Sequence, residues 1–364
     1  MQIDSLELAS FRNYDSLSIN FDSGINIIYG ANAQGKTNIL ESIYMCSSGK
    51  SHKGSKEKDI IKEGCAESHI KGDFSGSSGK ERVDIHLKAG SGKGIALNRV
   101  PIRKISELYG IIKVVIFSAE DLDIIKRGPS ARRRFMDMEL CQLDKLYVED
   151  LITYNKIRIQ RSELFKRLGE EKNNREELLE TLDIWDLQLV NTGSRLIKRR
   201  KKFIEEINEI ILDIHYQISG GSEKIKMIYK PSVKENDFYE ELRKSREKDI
   251  ITRTTNVGPH RDDFSFFAEE KDIKTFGSNG QQRTCALSLK LSEIKLIEQQ
   301  KKEKPVLLLD DVLSELDRNR QRHLLKSLGQ TQTIITCTGV DEFIEKELGQ
   351  TRKFLIENAK IKEA

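Results

Sequence analysis

Long apolar runs are absent from this sequence. No stretch approaches the ~20 consecutive apolar residues that a membrane-spanning helix requires. The amino-terminal residues Met1-Gln-Ile-Asp-Ser5 also lack the basic and apolar regions of a secretory signal peptide. We therefore expect a cytoplasmic protein that has no membrane partner.

Cysteine is scarce and shows no pattern. The 364 residues include five cysteines, which are scattered along the chain, and no two of them form a C-x-x-C pair. An odd, scattered set supports neither a disulfide framework nor a zinc hook. The sequence therefore disfavours a disulfide-stabilised secreted protein and a protein that dimerises through a zinc hook.

A large excess of one charge is missing as well. The 62 Lys and Arg residues nearly balance the 58 Asp and Glu residues, which leaves a formal net charge of +4. Whole-chain charge therefore does not require a nucleic-acid partner. Local clusters of charge carry more information than the total.

Hydrophobic periodicity divides the chain into two kinds of sequence. At 364 residues, two or three units of domain size are expected. Apolar residues alternate with period two near the amino terminus, which predicts strands. They follow helical spacing from about Ala131 in two stripes. The polar break at 169–174 predicts a turn, so the two stripes should form a helical hairpin over about 131–215.

A phosphate-binding loop stands out within the first part. Gly30-Ala-Asn-Ala-Gln-Gly-Lys-Thr37 fits G-x-x-x-x-G-K-[ST], a pattern whose backbone amides surround phosphates. A short apolar strand, Ile25–Tyr29, precedes the loop, and helical spacing follows it, so phosphates would face a helix N-terminus. The predicted ATP-binding residues are Gly30, Ala31, Asn32, Ala33, Gln34, Gly35, Lys36, Thr37 and Asn38. Lys36 should neutralise β- and γ-phosphate charge; the alternative is an ordinary surface lysine.

A second segment supplies carboxylates. Val306-Leu-Leu-Leu-Asp-Asp311 predicts an apolar strand that ends in two acids. Thr37 and Asp310 should hold Mg²⁺, and Asp311 should accept the proton of the attacking water. Lys36, Asp310 and Asp311 are the predicted catalytic residues. Asp311 could instead be a passive second carboxylate.

The third segment is the polar, glycine-centred stretch Ser278-Asn-Gly-Gln-Gln282. Together with the other two segments it is typical of an ABC-type ATPase, an α/β fold with mixed sheets around the P-loop helix. We predict a nucleotide-binding lobe from residues 1–126 and 303–364. A mostly helical lobe over 127–302 should carry the hairpin and this motif. Read in isolation, Ser278 could simply cap the helix that follows it.

Motifs along nearly the whole chain resemble those of the RecF family of bacterial recombinational-repair ATPases. The matching stretches are Phe11–Tyr14, the P-loop, Phe117–Leu122, Gly128–Asp137, Val257–Asp263, Ser278–Arg283 and Leu308–Asp317. The resemblance implies an ABC/SMC-like head that forms an ATP-dependent homodimer on double-stranded DNA and on single-stranded/double-stranded junctions. It further implies a slow, DNA-stimulated ATPase that works with RecR and RecO to load RecA at gaps, and so supports replication restart and SOS induction.

The same resemblance assigns further residues to the nucleotide. It implies contacts from Arg12 and from Glu120, which lies in the segment that replaces the ABC Q-loop. Ser278, Gly280 and Gln281 would reach the γ-phosphate across the dimer interface, where Asp317 would also lie. Two departures are visible in the sequence. Ala119 stands where the family usually has proline, and the 334–338 segment offers threonines in place of a switch histidine, which leaves the γ-phosphate sensor unassigned.

Basic clusters are the candidates for DNA contact. They are 198–202, 132–134 and the hairpin residues Arg158, Arg161, Lys166 and Arg167. Such residues neutralise phosphates without sequence preference. A solvated helix face is the alternative for each cluster, and salt bridging between lobes is a second alternative for 132–134. His260 is interpreted as a structural or interface residue.

Three classes of protein remain open. A DNA-repair ATPase clamp of the RecF type is favoured. An SMC-like chromosome-organising head needs far longer coiled-coil arms than this hairpin. A cytosolic subunit that powers transport normally carries the missing histidine and a different signature.

Overall fold

Strands and helices alternate in the computed structural model, which describes residues 1–170, 174–221, 223–339, 347–348 and 351–363. The strands in chain order are β1 (Gln2–Phe11), β2 (Tyr14–Asn20), β3 (Ile25–Tyr29), β4 (Glu67–Gly76), β5 (Gly79–Lys88), β6 (Gly92–Leu97), β7 (Val100–Pro101), β8 (Val114–Ser118), β9 (Ile225–Lys230), β10 (Asp263–Ala268), β11 (Lys271–Asp272), β12 (Val306–Asp310), β13 (Thr333–Cys337), β14 (Thr351–Glu357) and β15 (Lys360–Glu363). The helices are α1 (Lys36–Ser48), α2 (Leu122–Lys126), α3 (Pro129–Leu143), α4 (Lys145–Glu170), α5 (Arg175–Ile218), α6 (Phe238–Lys244), α7 (Arg246–Thr252), α8 (Ile273–Phe276), α9 (Asn279–Lys301) and α10 (Arg318–Leu328).

The chain divides into two units. The first contains residues 1–121 and 290–364, and the second contains residues 122–289. The second junction falls inside α9, which runs through it without a break. The hydrophobic periodicity of the sequence does not mark this junction, because one helix continues across it.

An antiparallel sheet opens the first unit. Its strand order is β2-β1-β4-β5-β6-β7. The predicted hairpin is confirmed: β1 pairs with β2, and Leu8 faces Leu17 in the register. Alternate residues of these strands, such as Leu6, Leu8 and Ile19, are buried, as expected for a sheet that is apolar on one face.

A second sheet holds the P-loop strand. Its order is β15-β14-β3-β13-β12-β8, and β14, β3, β13, β12 and β8 are parallel. Strands β8 and β12 are almost entirely apolar and every residue in them is buried, as expected for parallel strands covered on both faces. Helix α1 contacts strands of both sheets. The predicted fold class, mixed sheets around the P-loop helix, is therefore confirmed.

The second unit is mostly helical. Helices α4 and α5 pack along each other, and a three-stranded sheet, β11-β10-β9, lies against α5. Residues 171–173 of the predicted turn lie outside the described residues. Leu164, Phe165, Leu178 and Leu182 form one buried cluster near the end of this hairpin.

One helix boundary was predicted wrongly. The first helical stripe, which we expected to be continuous from about Ala131, is broken between α3 and α4 at Asp144. The Asp144 carboxylate accepts hydrogen bonds from the backbone amides of Leu146 at 2.9 Å and Tyr147 at 3.3 Å. These bonds satisfy donors at the start of α4, which is how an aspartate starts a new helix.

Several arginines that we predicted as DNA contacts are buried. Arg161 is fully buried and pairs with Asp186 at 2.7 Å. Arg200, with 2% of its side chain exposed, pairs with Asp262 at 2.9 Å. Arg132 pairs with Asp263 at 2.6 Å inside the second unit. Buried charges must be paired. Arg161 links α4 to α5, Arg200 links α5 to the turn before β10, and Arg132 links α3 to β10. The assignment of these three residues to DNA was therefore wrong.

None of the helices in the described part of the chain combines the length and the apolar character needed to cross a bilayer.

Candidate nucleotide-binding site

Backbone geometry makes two glycines of the P-loop obligatory. Gly30 has φ 149° and Gly35 has φ 107°, values that side chains other than glycine rarely adopt. A Cβ on Gly30 would lie 2.4 Å from the Ile356 carbonyl oxygen, and one on Gly35 would lie 2.6 Å from Asn13 Nδ2. The loop therefore follows the tight path that lets backbone amides converge on an anion.

Lys36 points back over this loop. Its ammonium donates hydrogen bonds to the carbonyl oxygens of Gly30 and Ala31, each at 2.9 Å, and only 4% of the residue is exposed. The first turn of α1 carries no acidic residue. A buried cation and a helix N-terminus thus face the same loop, and both favour bound phosphate.

Asn13 braces the loop, a role that the sequence did not predict. Its Nδ2 donates to the Gln34 carbonyl at 3.0 Å, and its Oδ1 accepts from Asn38 Nδ2 at 2.9 Å. On the other side, the backbone amide of Asn358 donates to Gln34 Oε1 at 2.6 Å. The loop is therefore fixed from both flanks before any ligand binds.

The carboxyl ends of the parallel strands bring the remaining groups together. Asp310 ends β12, and its Oδ1 accepts hydrogen bonds from Thr37 Oγ1 at 2.7 Å and from Thr336 Oγ1 at 2.8 Å. The hydroxyl of Thr37 and the carboxylate of Asp310 are the hard oxygen ligands that Mg²⁺ prefers. These two residues therefore fit the metal that the sequence predicted.

Thr336 was not predicted as a site residue. It lies at the end of β13, directly opposite Asp310 in the register. Its hydroxyl donates to Asp310 Oδ1 and accepts a hydrogen bond from the backbone amide of Asp311 at 3.0 Å. One hydroxyl thus orients both carboxylate residues, in the segment where the sequence lacks a switch histidine.

Asp311 adopts a left-handed backbone conformation with φ 55°. Partial burial raises the pKa of its carboxyl group, and Asp310 raises it further, while Lys36 opposes the shift. A carboxylate with a raised pKa is a better proton acceptor than an exposed one. The position and electrostatics of Asp311 suit a base beside the P-loop.

Two further predicted residues lie in the same unit. Glu120 is exposed in the short turn after β8, the strand beside β12. The Arg12 guanidinium donates to both carboxylate oxygens of Glu41 on α1, at 2.9 and 2.6 Å. Burial opposes the ionisation of Glu41, but the hydrogen bonds from Arg12 and Ser51 outweigh it and lower the pKa of that carboxyl group. Arg12 therefore fixes the P-loop helix from outside.

The signature motif forms a capping box at the start of α9. Ser278 Oγ accepts from the Gln281 amide at 3.2 Å, and Gln281 Oε1 accepts from the Ser278 amide at 2.8 Å. Gly280 lies in the first turn of the same helix, in the second unit. Asp317 likewise caps α10, since its carboxylate accepts from the Arg320 amide at 3.0 Å.

His260 is a structural residue, as the sequence predicted. Its Nδ1 lies 2.7 Å from the Tyr154 hydroxyl, and its Nε2 lies 2.8 Å from the Thr255 carbonyl oxygen. Burial lowers the pKa of the imidazole to about 3, so the ring is neutral. Both ring nitrogens are occupied by contacts inside the second unit.

A glycine-bent phosphate loop, a buried lysine and a strand that ends in two carboxylates define the head of an ABC-type P-loop ATPase. The model of the RecF/RecN/SMC N terminal domain family matches residues 2–347. The DNA replication and repair protein RecF of Lachnospira eligens is 56% identical over 356 residues, which cover 98% of each chain.

Solved structures agree with this result. The recombination mediator protein RecF with ATP, of the RecFOR pathway, superposes with a TM-score of 0.92 at 34% identity, and the match covers 100% of this chain and 97% of that one. An Smc head bound to the C-winged helix domain of ScpA, at 16% identity, covers 100% of this chain and 97% of that one with a TM-score of 0.59, which shows the fold alone. This chain belongs to the RecF family.

Proposed function

We propose that this chain is a cytoplasmic, ATP-dependent DNA-binding protein of recombinational repair, and that it is a slow ATPase that acts as a switch. The observation that carries the proposal is the hydrogen-bonded group beside the P-loop lysine, in which the hydroxyls of Thr37 and Thr336 both donate to the Asp310 carboxylate. Membership of the RecF family supports the same conclusion, because its curated relatives are DNA replication and repair proteins.

The P-loop residues would bind the triphosphate. Amides of residues 30–38 would donate to its oxygens, and Lys36 would exchange its two carbonyl partners for β- and γ-phosphate oxygens. Mg²⁺, held by Thr37 and Asp310, would neutralise charge on the β- and γ-phosphates. Similarity to the ATP-bound RecF structure supports ATP as the nucleotide.

Hydrolysis would use Asp311. Its carboxylate would orient the attacking water and accept its proton. Many ABC enzymes have a glutamate at this position, and an aspartate side chain is one methylene shorter. Water positioning would therefore be poorer and turnover slow, which suits a protein whose ATP-bound state must last.

Thr336 tests this geometry. The Thr336→Val variant keeps the shape of the side chain but removes the hydroxyl that orients Asp310 and the Asp311 amide. Because hydrogen bonds to charged groups contribute about 1.5–3 kcal/mol, we expect turnover to fall by about 10- to 100-fold. Phosphate release at saturating ATP measures it. Thr333→Val on the same strand is the matched control, since within the described part of the chain that hydroxyl bonds only the Thr331 carbonyl, at 3.0 Å. Equal activity in the two variants would refute the role of Thr336.

Two chains would close on two ATP molecules. In this arrangement Ser278, Gly280 and Gln281 of one chain would contact the γ-phosphate bound by the other, with Asp317 at the same interface. Ser278 Oγ is an acceptor in the described hydrogen bonds, so its hydroxyl hydrogen can be donated to an anion. The binding free energy of ATP would then drive dimer closure.

The closed dimer would hold DNA. We propose that it binds duplexes and single-stranded/double-stranded junctions as a clamp, and that DNA binding stimulates its ATPase activity. With RecR and RecO it would promote RecA loading at gaps, which supports replication restart and SOS induction. Similarity to the RecF structures of the RecFOR pathway supports these partners.

The Ser278→Arg variant provides the test of closure. We expect ATP, but not ADP, to produce a wild-type dimer in sedimentation, and we expect Ser278→Arg to remain monomeric while it still binds ATP. The bulky cationic side chain would occupy the γ-phosphate position only when two chains meet.

Two further variants separate closure from helix capping. Ser278→Asp keeps a good N-cap but would repel the γ-phosphate, so it should also fail to dimerise. Ser278→Thr keeps both the cap and the hydroxyl and should dimerise. If the Arg and Asp variants dimerise with ATP as the wild type does, Ser278 is only a helix cap. Capture of RecR in ATP and in ADP tests the partner separately.

A further inference from the structure

A polar pocket of about 490 Å³ lies within the second unit. Its wall includes Arg133 from α3, Arg158 from α4 and Arg261 from the turn before β10. The volume lies within the about 300–1,000 Å³ range of small-ligand sites. Neither the nucleotide chemistry nor the signature uses this pocket.

Several hydrogen bonds hold the loop that carries Pro259, His260 and Arg261 of the pocket wall. Gly258 has φ 129°, and a Cβ there would lie 2.4 Å from the Tyr154 hydroxyl oxygen. The Ser232 hydroxyl donates to the Gly258 carbonyl, and the Gly258 amide donates back to Ser232 Oγ, each at 2.9 Å. Tyr154 also holds His260, and Arg200 donates to the Pro259 carbonyl at 2.5 Å. Ordering this loop on binding would therefore cost little.

The charge of the pocket is strongly positive. Among the described residues, the guanidinium groups of Arg158 and Arg261 have no hydrogen-bond or ion-pair partner. Arg133 donates to a neutral group, the Asp262 carbonyl oxygen, at 2.8 Å. The acid on the wall, Asp137, pairs with Arg200 at 2.6 Å, and Arg200 also pairs with Asp262 at 2.9 Å. The three remaining arginines of the wall still outnumber the one carboxylate that this shared cation leaves unbalanced.

The pKa values of two residues of the wall, Arg133 and His260, are shifted. Burial is the main cause that lowers the pKa of Arg133; the nearby Arg200 lowers it further, and Asp263, Asp137 and Asp262 partly oppose the shift. Burial also lowers the pKa of His260 to about 3, with a smaller contribution from the charges of Arg158, Arg261 and Arg133. An imidazole in this position stays neutral and adds no charge.

We propose that this pocket binds a phosphoryl anion through Arg133, Arg158 and Arg261. A guanidinium group can bind phosphate through two parallel N–H···O hydrogen bonds. Three guanidinium groups around one pocket therefore suit a ligand with several anionic oxygens. The apolar part of the wall is limited to a few side chains, including Leu151, Leu196 and Pro259. The pocket therefore lacks the apolar surface that would anchor an acidic peptide.

Two sources could supply the phosphoryl group. One is a free phosphate or pyrophosphate, and the other is the backbone of DNA; the second source rests on the proposed function. In the DNA case the pocket would fix the position of one backbone segment on the second unit. It would do so without reading sequence, because phosphate contacts carry none.

Arginine footprinting tests the pocket directly. Phenylglyoxal modification of each arginine is followed by mass spectrometry in the full-length protein, alone, with pyrophosphate, with a short duplex DNA and with oligoglutamate. We expect several-fold slower modification of Arg158 and Arg261 with pyrophosphate, with the duplex or with both. Arg243 on α6, which is exposed and outside the pocket, should react equally in all samples.

The outcomes separate the sources and the proposals. Protection by pyrophosphate assigns a free phosphoryl ligand, and protection by duplex alone assigns the DNA backbone. Protection by neither, or by oligoglutamate alone, overturns the proposal. If the duplex binds the protein but leaves both arginines unprotected, the DNA assignment fails while DNA binding stands. If the duplex does not bind at all, the proposed function fails, and pyrophosphate still decides the pocket.

A double variant measures the DNA contribution. Arg158→Ala with Arg261→Ala should reduce the slope of log K against log[salt] by about 1.8, because each phosphate contact contributes about 0.9 for duplex DNA. Lys234→Ala with Lys248→Ala removes the same charge from exposed positions of the same unit outside the pocket. Equal slopes in the two double variants would contradict a backbone contact at the pocket.

Discussion

Lys36→Ala should remove measurable ATP binding. The ammonium is buried over the P-loop and already makes two hydrogen bonds, to the carbonyl oxygens of Gly30 and Ala31, so it can turn to phosphate oxygens with little rearrangement. Two hydrogen bonds to charged groups contribute about 3–6 kcal/mol together. We therefore expect affinity to fall by at least about 10²-fold, as measured by titration with a fluorescent ATP analogue.

Two companions make this result interpretable. Lys36→Met fills the same space without charge and should lose affinity equally, which separates the charge from packing. Lys50→Ala removes an exposed lysine just beyond the end of α1 and should bind ATP normally. Wild-type affinity in both Lys36 variants would show that the loop binds phosphate through its amides alone.

The P-loop and the acidic strand could be predicted because their chemistry is local. Gly30 and Gly35 satisfy backbone needs that glycine alone meets, and β12 is an apolar run that ends in the two acids Asp310 and Asp311. Neighbouring residues carry each of these signals. Asp144 carried a local signal for the break between α3 and α4, because an aspartate before a helical stretch is typical of an N-cap. The prediction missed this signal because the apolar stripe continues across Asp144.

The buried arginines could not be placed from the sequence. Arg161 and its partner Asp186 are 25 residues apart, and Arg200 and Asp262 are 62 residues apart. Nothing near either arginine distinguishes it from the exposed lysines that follow Arg200 on α5. Only the packing of α4 and α5 against the loop that contains Asp262 decides which basic residues are buried.

Thr336 illustrates a different limit. The sequence shows that a switch histidine is missing, but the role of Thr336 depends on which strand lies beside β12. The structure places β13 there, with Thr336 opposite Asp310. Strand order in a parallel sheet is a property of the whole fold, so no local pattern could have predicted this contact.

Asp311→Asn should keep ATP binding and stop most hydrolysis. Asparagine tolerates the left-handed backbone of this position, φ 55°, and is close in shape to aspartate, so Asp310 and Thr336 should stay in place. Loss of a positioned proton acceptor typically costs about 10²–10⁴-fold in rate. We expect that loss in phosphate release at saturating ATP, with unchanged affinity in the nucleotide titration.

The Asp311→Asn variant should separate ATP-driven dimer formation from the dissociation that follows hydrolysis. Because ATP would remain bound, the Asp311→Asn dimer should persist after ATP addition, whereas the wild-type dimer should dissociate as ADP accumulates. Asp311→Glu retains a carboxylate and should retain hydrolysis. If Asp311→Asn hydrolyses ATP at the wild-type rate, Asp311 is a passive second carboxylate, and the proton acceptor must be another group at the carboxyl ends of β8, β12 and β13.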